Sequence, residues 1–121
     1  MELMSINDNH EEIKLTPQFQ KDLKNLGKRY RSIRKDLQPL IEDLQSGNTP
    51  GDRIQGLERQ VFKVRLKNSN IPKGKSAGYR VLYYLQTETG VVLLTIYSKS
   101  DLSDLSDRII KQIISLYEKR E

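Results

Sequence analysis

No cysteine occurs among the 121 residues, so the chain can form neither a disulfide nor a thiolate metal site. Histidine is nearly absent as well. The single one, His10, lies in a polar N-terminal stretch. A metal centre is therefore not expected, since borderline metals want imidazoles or thiolates in groups, and no cofactor is implied. Long apolar runs are also missing: none approaches the roughly 20 residues that span a bilayer. Met1 to Glu12 is acidic and lacks the apolar core of a secretory signal. With 36% hydrophobic and 31% charged residues, the expectation is one compact domain over 1–121. Residues 1–11 would be a flexible leader, and the location cytoplasmic, with no membrane contact.

The last absence is of acid, and it is local. From Arg59 to Thr87 there are seven basic residues and no aspartate or glutamate, while the rest of the chain carries 14 basic and 16 acidic residues. The whole excess behind the net charge of +5 thus sits in one segment. Such a concentration of one sign attracts polyanions and steers their approach, whereas surface lysines placed for solubility are interspersed with acids.

What is present is a change of period along the chain. Glu12–Leu15 reads as a short strand. Thr16-Pro17 reads as an N-cap and first helical position, followed by Phe19, Leu23 and Leu26 on one helical face, with Gly27 as the stop. Ile33, Leu37, Leu40, Ile41 and Leu44 form the stripe of a second helix from near Ser32, or from Asp36 if Pro39 disturbs its start. Near Val61 the spacing becomes two. Val61–Leu66 and Tyr79–Leu85 alternate, and Val91–Tyr97 is apolar on both faces, as a central strand is. A closing helix is expected with Ser103 as cap and Leu105, Ile109, Ile113 and Leu116 as its buried stripe. The fold class is α+β: an N-terminal strand and helical hairpin packed on a twisted antiparallel sheet, in the order β-α-α-β-β-β-α.

Three strand sequences carry a resemblance. Val61-Phe62-Lys63-Val64-Arg65-Leu66 is similar to a RelE-type strand written Tyr-Lys-x-[Lys/Arg]-Leu. Gly78-Tyr79-Arg80-Val81-Leu82-Tyr83-Tyr84 resembles the family's Gly-Tyr-Arg strand, and Leu93 to Ser100 resembles its last strand, which ends in a lysine. Leu15-Thr16-Pro17-Gln18-Phe19 with Asp22-Leu23 is similar to its first strand and helix start. Over roughly residues 12–118 the chain thus resembles the RelE/ParE superfamily, the toxins of type II toxin–antitoxin systems.

That resemblance implies a RelE-like fold with an active site on the open face of the sheet. It implies a cognate antitoxin in a toxin–antitoxin hetero-oligomer, messenger RNA on the ribosome as substrate, and cleavage without a metal by attack of the RNA's own 2′-hydroxyl. Such chemistry needs a base, cations about the phosphorane and an acid. The candidate catalytic residues are Lys63 as base, Arg65 and Arg80 as phosphate ligands, and Tyr97 and Lys99 for base stacking and a proton. Tyr84 could stack on a base, and Lys73 and Lys75 could follow a nucleic-acid backbone. Two positions depart from the family: Ser100 stands where an arginine is common, and Ser106 near where a tyrosine or histidine is often found. These departures keep open a non-enzymatic ParE-like toxin that binds DNA gyrase, or an inactive RNA-binding relative.

Overall fold

The computed structural model describes residues 12–72, 74, 77–86 and 90–120; His10, Lys73, Lys75 and the leader 1–11 lie outside them. The elements are β1 (Glu12–Leu15), α1 (Pro17–Arg29), α2 (Ile33–Gln45), β2 (Asp52–Arg53), β3 (Val61–Leu66), β4 (Tyr79–Leu85), β5 (Gly90–Ser98) and α3 (Asp107–Arg120). They build the expected α+β architecture, with a five-stranded sheet in the order β1-β5-β4-β3-β2. The β3-β4-β5 meander is antiparallel. β1 joins its edge parallel to β5, so the sheet is mixed. The two-residue β2 pairs with Phe62 and Lys63 of β3.

Each sheet face buries a different layer, because side chains alternate along a strand. Tyr79, Val81 and Tyr83 of β4 pack with Val91, Leu93 and Ile96 of β5 against Phe19, Leu23, Ile33, Leu37, Leu40 and Leu44 of the helical hairpin. The opposite face sends Leu82, Tyr84, Val92 and Leu94 against Ile110 and Ile114 of α3. β5 keeps both of its faces in register through a bulge. Leu82 pairs with Thr95 and Tyr83 with Leu93, leaving Leu94 as the extra residue. The Leu94 carbonyl accepts a 2.8 Å bond from the Thr16 hydroxyl, which itself accepts from the Phe19 amide at 2.9 Å. One side chain thus caps α1 and fastens it to the bulge.

Several boundaries differ from the sequence reading. α1 runs through Gly27 to Arg29, since Leu26 still packs on the core. α2 starts at Ile33 after Ser32, the first of the two starts expected, and carries Pro39 inside it; burial of Leu37, Leu40 and Leu44 holds the helix despite the missing bond. Asp36 is therefore not a cap, and its carboxylate instead accepts from the Ser69 amide at 2.9 Å and hydroxyl at 3.1 Å. α3 is capped by Ser106 rather than Ser103: its hydroxyl accepts from the Ile109 amide at 3.3 Å. The buried stripe of α3 is Ile110 and Ile114, with Leu116 left 60% exposed. The helix has two apolar stripes, and the sheet takes the neighbouring one. Among the described residues, no helix is long and apolar enough to cross a membrane.

Candidate functional site

The register of the meander decides where the basic residues meet. Arg65 lies directly opposite Arg80, and Arg80 directly opposite Tyr97. Directly paired residues in an antiparallel ladder point to the same side, with Cβ atoms about 5 Å apart. Arg65, Arg80 and Tyr97 therefore form one row across three strands. Lys63 is two residues from Arg65 and shares its face, the face that carries α3. The row lies at the end of the strands where Lys99 follows β5, and the Lys99 amide bonds the Gly78 carbonyl at 2.9 Å. Four of the candidate cations and one tyrosine are thus gathered at one end of one sheet face.

Burial corrects part of the expectation. Arg80 is only 6% exposed, not an open-face side chain, because the adjacent strands flank it on both sides. Its Nη1 donates to the Tyr79 carbonyl at 3.2 Å. Burial and then the Arg65 guanidinium disfavour its charged form, with Tyr97 opposing them. Tyr97 is also buried, and its hydroxyl has no hydrogen-bond partner among the described residues. Burial, then Asp104, raises its pKa, so the hydroxyl keeps its proton at neutral pH. Ring and hydroxyl are both covered in the free protein, so Tyr97 offers no open stacking surface. Tyr84, too, is core: it is fully buried and donates to Glu118 at 2.9 Å.

Acids from outside the basic segment reach into it, so that segment is not unneutralised. Arg59 makes two bonds to Glu118, at 2.9 and 2.6 Å. Lys63 Nζ donates to Asp104 Oδ1 at 3.0 Å, across 41 residues of sequence. The Lys63 bond, the Leu105 amide and the Lys63 and Lys99 charges hold the Asp104 carboxyl below its ordinary range, against partial burial. Asp104 joins this basic cluster through Lys63, and periodicity does not reveal it, because its loop has no period to read. Lys99 Nζ donates to the Ser103 carbonyl at 2.9 Å. The two departures from the family pattern have local work of their own: Ser100 bonds Ser98 at 2.8 Å, and Ser106 caps α3.

Residues 13–103 match a family model described as the ParE toxin of the parDE type II toxin–antitoxin system. The chain belongs to this toxin family. It is thereby the toxin component of a type II system, which implies an antitoxin partner. Among solved structures, a free-state mutant of the E. coli toxin RelE is similar in fold. Its TM-score is 0.52 at 18% identity, over 92% of this chain and 97% of that protein. Family and fold agree with the RelE/ParE resemblance of the three strands.

Asp104 gives the site a testable electrostatic setting. Asp104→Asn should tighten RNA binding by roughly two- to fivefold, the size of a surface ion pair worth up to about 1 kcal/mol, because Lys63 is then released to a phosphate. Fluorescence anisotropy on a short single-stranded RNA checks this, and unchanged or weaker binding would mean that Lys63 does not face the ligand.

Proposed function

We infer that this toxin is an endoribonuclease, an mRNA interferase that halts translation in the cytoplasm by cutting messenger RNA on the ribosome. The observation that carries the reading is the Arg65–Arg80–Tyr97 row. Facing arginines on adjacent strands repel each other, and burial adds to the cost at Arg80. Two guanidinium groups side by side on neighbouring strands suit an anion lying against them.

Each residue has a role in metal-independent cleavage. A 2′-oxygen attacks the adjacent phosphorus and the bond to the 5′-oxygen breaks, leaving a 2′,3′-cyclic phosphate and a 5′-hydroxyl. Arg65 and Arg80 hold the phosphoryl oxygens where negative charge grows. Lys63 takes the 2′-proton once the substrate has displaced Asp104. The Tyr97 hydroxyl, still protonated and buried in the free toxin, supplies the proton to the leaving 5′-oxygen once substrate binding uncovers it. Lys99 adds charge at the rim. A cognate antitoxin would store the toxin in a hetero-oligomer by covering this face.

A second reading, a gyrase poison, is favoured by the match to a ParE model and by Ser100, where RelE-type nucleases commonly carry arginine. One experiment separates the two. Inducing the chain in a bacterium and mapping messenger RNA 5′ ends should reveal new ends within open reading frames. Growth arrest with intact messages and broken or relaxed DNA would instead assign it to gyrase.

A further inference from the structure

Averaged over the sequence, the charge outside Arg59–Thr87 looks slightly acidic, yet residues 21–36 hold seven basic and two acidic residues. The fold separates these signs. Asp22 is turned inward to accept from the Thr95 hydroxyl at 2.5 Å, and Asp36 accepts from Ser69. Lys21, Lys24, Lys28, Arg31, Arg34 and Lys35 all remain exposed. Among the described residues, none of these six is in an ion pair. Lys21, Lys24 and Lys28 recur at helical spacing, opposite the buried Phe19 and Leu23 of α1.

Helix stability does not explain this patch. Lys28, in the last turn of α1, complements the helix dipole, but Arg34 and Lys35 occupy the first turn of α2, where the dipole favours acids and cations cost stability. The hairpin also packs on the sheet face opposite the Arg65–Arg80–Tyr97 row, so a single strand held in that row does not reach the centre of the patch. The two surfaces approach each other at one end of the molecule, where Arg29 of α1 is paired with Asp101 in the loop after β5.

We propose that the solvent side of the α1–α2 hairpin is a second nucleic-acid surface that binds the phosphate backbone of double-helical RNA. The only aromatic residue within 21–36, Tyr30, is half-buried, set edge-on to Tyr79 and covered by the Arg29 guanidinium at 4.7 Å. Single-strand binders stack bases on open aromatic faces, and this patch offers none. Cations without a stacking platform suit a duplex backbone, which proteins read by shape and phosphate contacts. RNA rather than DNA as the partner rests on the ribonuclease reading: structured RNA would dock the hairpin while the messenger enters the row on the other face.

The test uses the purified full chain and a blunt RNA duplex of about 16 base pairs, with affinity measured by anisotropy across a salt series. Lys21→Ala/Lys24→Ala/Lys35→Ala keeps good helix formers on both helices. It should weaken duplex binding by roughly tenfold or more and flatten the log–log salt slope by about 2–3, since each phosphate contact contributes slightly less than one. Arg80→Ala should bind the duplex as wild type does, even where cleavage is lost. A triple variant that binds the duplex with wild-type affinity and slope overturns the proposal, and leaves the cleavage reading standing. Loss of antitoxin binding by that variant with duplex affinity intact also overturns it, in favour of an acidic protein partner.

Discussion

Arg80→Ala should cleave messenger RNA on programmed ribosomes at least roughly 100-fold more slowly than wild type, and should still fold. The magnitude follows from its place. One preorganised electrostatic donor aimed at developing charge is worth about 2.7–4 kcal/mol, and in the proposed mechanism in-line attack by a 2′-oxygen builds charge on oxygens that Arg65 and Arg80 would flank. Folding should survive because Arg80 is near the start of β4, where the backbone ladders to β3 and β5 hold the strand. Arg80→Met sharpens the distinction. It keeps an apolar stem between the strands and deletes the charge, so it should melt close to the wild-type temperature while cutting no better than Arg80→Ala. Arg80→Lys should recover only part of the rate, since the two-pronged guanidinium contact is lost. A well-folded Arg80→Ala that cuts at the wild-type rate removes Arg80 from the site.

The second large effect falls on folding. A Cβ built at Gly78 would lie 2.0 Å from the Leu66 carbonyl oxygen and 2.9 Å from the Asn68 nitrogen. Both are backbone atoms at the end of β3, and neither can rotate away. The Gly78 carbonyl also accepts from the Lys99 amide, so the residue fastens together the ends of β3, β4 and β5. Gly78→Ala must part those strands, at a cost on the order of 3 kcal/mol or more. At this chain length that lowers the melting temperature by roughly 10 °C. A thermal melt unchanged by Gly78→Ala would show that the strands yield easily there. The glycine of the Gly-Tyr-Arg motif is thus required by strand packing rather than by chemistry.

The strands and their faces were legible because alternation is a local signal. Val61–Leu66 and Tyr79–Leu85 could be located from the sequence, and their parity already put Lys63 and Arg65 on one face and Arg80 opposite to Val81 and Tyr83. The row itself needed the register, which depends on pairings between residues 15 and 17 positions apart along the chain. Burial of Arg80 and Tyr97 was not legible, since it is set by neighbouring strands rather than by the residues themselves. Asp104 was hidden for the same reason: its partner Lys63 is 41 residues away. In α3 the sequence offers two apolar stripes, and only docking on Leu82, Tyr84, Val92 and Leu94 selects Ile110 and Ile114. The hairpin cations are hidden in a net charge summed with acids that the fold turns elsewhere.

The measurement that bears most directly on the ribonuclease account uses programmed ribosomes, the purified toxin and an excess of chelator. Two messengers are compared, one unmodified and one carrying a single 2′-deoxynucleotide on the 5′ side of the mapped cut. The account predicts cleavage of the first, with a 2′,3′-cyclic phosphate and a 5′-hydroxyl at the new ends, and no cleavage at that position in the second. Equal cutting of both messengers, or growth arrest by a toxin that cuts neither, would contradict it.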